Sequence, residues 1–169
     1  VGSEMCIRDR NGHTSGVVTA TVTDSNGTSA LLVSNALTLN GTGNAYSIFI
    51  RDRTVATTDL LSIDALTTVT INAARITRLT GTYASIISTY AAETAETISG
   101  LGSNCSFTAS DSITVAEANT LSGLISHGSR SLTATISNGD MATLAGISES
   151  GHNLSCLLYT SPSPRDVST

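Results

Sequence analysis

Four residues with oxygen ligands, Asp24, Asp52, Asp111 and Asn138, close short alternating runs of this chain: VVTATVTD, YSIFIRD, SFTASD and SLTATISN. Asn72 falls one position early in a fifth run, TVTINA. If the runs stack side by side, these side chains form a ladder along one edge. A ladder of carboxylate and amide oxygens is chemistry that a hard cation such as calcium accepts. The same residue types at a repeated turn also accept backbone N–H bonds and so cap a turn or a helix start. The Gly-Gly-x-Gly-x-Asp nonapeptide of calcium-binding β-rolls is absent, so capping is the expectation and calcium the alternative. No other cofactor is expected.

The remaining reactive side chains form no recognisable set. His13, His127 and His152 lie far apart, with no H-E-x-x-H or second ligand pair beside them, and read as loop histidines. Serine is abundant, yet no G-x-S-x-G elbow is present, and neither is a P-loop or a G-x-G-x-x-G. Cys105 has no basic neighbour in sequence and reads as a small hydrophobe rather than a thiolate. Thr-x-Thr runs at Thr19-Thr21-Thr23, Thr68-Thr70 and Thr133-Thr135 suit a solvated strand face. Threonine ladders of this kind also order water or hold ice, but SFTASD interrupts the series. Catalysis is not expected.

The elements that would position these residues lie between two atypical ends. VGSEMCIRDR, residues 1–10, resembles a translated transposase-type sequencing adapter, and CLLYTSPSPRD resembles its reverse complement, with residues 167–169 where a barcode begins. Residues 1–10 and 156–169 are therefore set aside in reasoning about the fold, leaving residues 11–155 as a piece of a longer reading frame. Removing them leaves Cys105 as the single cysteine and leaves no proline. It does not alter the net charge of −5. An acidic chain without a lysine is a poor partner for phosphate backbones, so nucleic acid is not expected. No run approaches the roughly 20 apolar residues that span a bilayer.

Residues 54–62, TVATTDLLS, match residues 114–122, TVAEANTLS, at an offset of 60 positions. Five to seven residues of alternation mark strands within each unit, and helical stretches lie between them. Thr114 and Glu117 fit a capping box ahead of Val115, Ala118, Leu121 and Ile125 at helical spacing. Thr82 would cap a helix over residues 83–95, with a further helix over 55–66 and shorter ones over 27–37 and 140–146. Strand, turn and helix recurring without hairpin signals imply parallel strands joined by crossovers. The expected fold is α/β: a repeat solenoid of about two 60-residue units and five strand-helix coils, with one parallel sheet facing a row of helices. An all-β solenoid is the alternative.

Residues 79–84 (LTGTYA), 98–102 (ISGLG) and the T-V-A-x-x-D/N-x-L-S blocks resemble the Thr/Ser/Ala-rich tandem repeats of very long bacterial surface or secreted proteins. The resemblance implies a non-enzymatic spacer, stalk or adhesive array outside the cell. Its partners would be neighbouring repeats of the same chain, with surface glycans or other cells beyond them. A calcium- or glycan-binding module and an accessory region of a secreted hydrolase are the alternatives.

Overall fold

The structure, a computed structural model, describes residues 16–23, 43–102, 105–125, 129–137, 141–147 and 153–158, with backbone alone for 23, 141 and 153–158. β-Branched runs become strands: β1 Thr19–Thr23, β2 Ala45–Phe49, β3 Thr54–Ala56, β4 Ile71–Asn72 and β5 Arg78–Gly81. They continue as β6 Ile98–Ser99, β7 Ser106–Ile113, β8 Ser131–Ile136 and β9 Asn153–Leu158. Among the described residues, four helices interrupt them: α1 Thr57–Asp64, α2 Tyr83–Thr94, α3 Val115–Leu124 and α4 Met141–Leu144.

Among the described residues all strand pairs are parallel, and they fall into two sheets rather than one. The first has the order β1-β2-β4-β6 and the second β3-β5-β7-β8-β9. From β2 to α3 the chain adds a strand to the first sheet, turns a corner, adds one to the second, and returns through a helix. In contrast, β8 and β9 follow α3 and α4 in the second sheet with no described first-sheet strand between them. Register follows from this circuit: Val55 lies opposite Leu79, Leu79 opposite Phe107, and Phe107 opposite Leu132. A register shift in β7, between Thr108 and Ser112, separates the Thr108–Thr133 pairing from the Ser112–Thr135 pairing.

Inward-facing side chains stack into one core. Ile71 pairs with Ile98 in the first sheet, and Ile113 with Ile136 in the second, all fully or nearly fully buried. Leu60, Ile63, Ile86, Ala118 and Leu121 close the core from the helices. Such burial is the dominant stabilising term, at about 1.5–3 kcal/mol per large aliphatic side chain. Among the described residues, no helix is long and apolar enough to cross a membrane.

Several local expectations hold. Thr82 caps α2 by accepting Ser85 N–H, and Thr114 and Glu117 form the capping box of α3 in both directions. Others shift. Residues 54–56 form β3 before α1 begins, whereas Thr114 caps and Val115–Ala116 open α3. The two blocks matching at offset 60 thus occupy different elements, because β-branched Thr54 and Val55 pair with Arg78 and Leu79. The expected 27–37 helix lies outside the described residues. β9 runs across the boundary at Ser155–Cys156 that the adapter resemblance sets, pairing with the whole of β8.

Candidate functional site

Of the four residues of the proposed ladder, Asp24 and Asn138 lie outside the described residues. Asp52 is buried at the corner after β2, in the first sheet's layer, while Asp111 lies within β7 of the second sheet. The structure does not bring these two into one line. The reason is the unforeseen second sheet, which makes the ends of β2 and β7 non-equivalent.

Asp111 has a definite role. Its carboxylate accepts Tyr83 N–H, at 3.0 Å to Oδ1 and 3.3 Å to Oδ2. Tyr83 opens α2, so a side chain from the next circuit satisfies an otherwise orphaned helix donor. Its negative charge also meets the positive end of the helix dipole. Asn72 does the comparable job locally, accepting Ala74 N–H through Oδ1 at 3.1 Å. Asn44 Oδ1 accepts Val18 N–H at 3.0 Å, tying β2 to β1.

Hydroxyl groups repeat this pattern. Thr80 Oγ1 donates to Val55 O, Thr77 Oγ1 to Arg53 O, and Thr68 Oγ1 to Asn44 O. Thr70 Oγ1 donates to Glu96 O at 2.7 Å, and Ser99 Oγ to Ile71 O at 3.1 Å. Thr57 Oγ1 reaches Thr80 O at 3.3 Å and shares a 2.6 Å hydrogen bond with Ser85 Oγ. Most of the threonines that suggested an ordered-water ladder therefore point no common way: Thr19 and Thr21 stand in β1 of the first sheet, Thr133 and Thr135 in β8 of the second. SFTASD, in β7, belongs to the second sheet as well.

Among the described residues, the two titratable groups clearly shifted from their ordinary values sit where α2 ends over the corner between β6 and β7. Tyr90 OH donates to Gly102 O at 2.8 Å, and its ring meets Phe107 edge-on at 5.5 Å between centroids. Glu93 Oε1 accepts Gly102 N–H at 2.7 Å. Cys105 is fully buried, with its Sγ 3.4 Å from Ile76 O. Burial, reinforced by the Glu93 carboxylate and partly offset by Arg130 and the Tyr90 hydroxyl, pushes the Cys105 thiol up to about 11. Burial also raises Tyr90, with Cys105 and Glu93 adding to it. Both groups are held protonated at neutral pH, which suits packing and not nucleophilic attack. The three histidines lie outside the described residues. Among the described residues, no three His, Cys, Asp or Glu side chains converge to hold a metal ion.

Comparison with protein families, with curated proteins and with solved structures returned no match.

Proposed function

We propose that this chain is a structural and adhesive repeat segment of a large extracellular bacterial protein, with no catalytic role. In this reading its circuits form a solenoid that continues through neighbouring repeats. The supporting observation is where the polar side chains go. Thr57, Thr68, Thr70, Thr77, Thr80, Ser99 and Asp111 all bond across to an adjacent circuit. Asn119 Nδ2 does the same, donating to Gly146 O at 2.9 Å. Side-chain polarity thus serves cohesion along the stacking direction, as an extended spacer under load requires. An acidic, lysine-free composition accompanies it and suits a solvated surface protein.

Small-angle scattering tests the reading on the chain and on residues 44–147 duplicated head to tail. A solenoid lengthens by about 4.8 Å for each added circuit at a constant cross-section. Two compact particles joined by a linker would overturn it.

A further inference from the structure

Eight basic residues occur in the chain, all arginine, and setting aside Arg8, Arg10 and Arg165 leaves 8 − 3 = 5. All five fall at one place in the circuit, the corner where the chain passes from the first sheet to the second or enters a second-sheet strand. Arg51 and Arg53 lie between β2 and β3, and Arg75 and Arg78 between β4 and the start of β5. Backbone bonds fix the two corners against each other. Thr77 N–H and Arg78 N–H both donate to Arg53 O, at 2.8 and 2.9 Å, and Arg78 lies opposite Thr54 in the β3–β5 pair.

The next corner stacks in turn, with Ser106 N–H donating to Thr77 O at 2.9 Å. Ser131 N–H then donates to Ser106 Oγ, which sets Arg130 at the following level. Arg51, Arg53, Arg75 and Arg78 are all exposed, and Arg130 is half-buried with its Nε lacking a partner. Described carboxylates lie mainly elsewhere. Asp59, Asp64, Glu93 and Glu117 are on helices, and Glu96 and Asp111 are at the two ends of α2. Asp52 is the exception at the corner, and it is buried. Glu93 approaches the Arg130 end through its bond to Gly102, so the ridge is strongest over the four exposed arginines.

We infer that this arginine ridge binds a linear polyuronate, a polysaccharide carrying one carboxylate per sugar. The inference deepens the adhesive part of the proposed function and rests on it. Arginine presents a planar fork that takes a carboxylate through two parallel bonds. Two adjacent circuits carry two such exposed arginines each, about 4.8 Å apart as neighbouring strands are, and the corner after them, residues 100–105, carries none. A polymer with regularly spaced carboxylates engages several forks at once, so weak single contacts add through effective concentration. Double-stranded DNA fits less well, because its charge is far denser, about one per 1.7 Å of axis. A neutral glucan offers nothing for the forks to hold.

The test titrates the whole chain with an oligogalacturonate in EDTA, which prevents calcium from bridging carboxylates. Dextran and duplex DNA of similar length serve as comparisons. Expected is saturable binding to the oligogalacturonate that weakens steeply with salt, with dextran silent and DNA at least tenfold weaker. R51A/R53A/R75A/R78A, all exposed positions, should lose binding at least tenfold while the circular dichroism spectrum is kept. Replacing the same four by lysine keeps the charge and removes the forks, and should lose binding by a smaller factor. The single variant Arg75→Ala keeps the test open should the fourfold variant fail to fold. Undetectable binding at low salt, unchanged binding in the alanine variants, or DNA bound as tightly as the uronate overturns the inference. None of those results touches the scattering test of the spacer.

Discussion

At the scale of single residues, the polar side chains of this protein stabilise its turns and helix ends, and two of them make sharp predictions. Asp111 satisfies the first donor of α2 from a neighbouring circuit. Asp111→Ala should lower stability by about 0.5–2 kcal/mol in urea titration, the range for losing a helix cap. Asp111→Asn, which keeps an acceptor oxygen but loses the charge, should recover part of that loss. Cys105 predicts a pH dependence. Its native thiol is raised from an ordinary 9.0 to about 11, so the folded state holds this proton more tightly than the unfolded state does. The resulting stabilisation is fully present below pH 9.0 and is lost as pH rises through about 11. Tyr90 shifts in the same direction and steepens the decline. Melting temperatures across that alkaline range should fall, and fall less in Cys105→Ala; an equal slope in both would remove Cys105 as a cause. Sequence pattern foresaw the cap that Asp111 makes and the packing of Cys105 as a small buried side chain, because both follow from residue type. It missed the arginines, whose two pairs, Arg51-Arg53 and Arg75-Arg78, recur at one circuit's spacing yet carry no motif.

Helix starts were the most legible elements, since a cap is written locally in Thr82 and in Thr114 with Glu117. The strands β3, β5 and β6 were not legible. Each has two to four residues, too few for alternation to show, and each exists because a neighbouring strand in the same sheet pairs with it. Without them the sequence implied one sheet, and the acidic ladder depended on that single sheet. Element junctions also carry the tightest geometry. A Cβ on Gly81, at the end of β5, would collide with Thr57 Oγ1 and crowd Ser85 Oγ. Gly81→Ala should therefore break the Thr57–Ser85 hydrogen bond and lower stability by about 1–3 kcal/mol, as overpacking does. Thermal unfolding checks it, and a wild-type melting temperature would show that the junction relaxes freely. At the other end of α2, Glu96 adopts φ 61°, a left-handed conformation that costs a non-glycine residue about 1–2 kcal/mol. Glu96→Gly should raise stability by about 0.5–1 kcal/mol, measured in the same way.

Taken whole, the molecule has a core that belongs to no single circuit, and this decides how damage should spread. Leu79 is fully buried in β5, between Val55 of β3 and Phe107 of β7. Truncating it leaves a cavity bounded by three successive circuits, so Leu79→Ala should cost about 2–5 kcal/mol. If the circuits stack as the proposed solenoid requires, stability is a sum of intrinsic terms and nearest-neighbour interfaces, and Leu79, paired with Val55 and Phe107, contributes to two of them at once. Amide exchange locates that loss. Protection should fall together in β3, β5 and β7, the strands that share the Val55–Leu79–Phe107 column, and fall less in β1, which lies in the first sheet and outside that column. Ala134→Gly in β8 offers the contrast, because it removes one small buried methyl from a strand flanked by β7 and β9. Its effect should centre on those two neighbours and leave β3 protected. If Leu79→Ala lowered protection only within β5, the circuits would be stable singly. A uniform fall across every strand would mean instead that the whole chain opens in one step. The graded pattern between these two is what parallel circuits joined by nearest-neighbour contacts require, and it is the behaviour on which an extendable array depends.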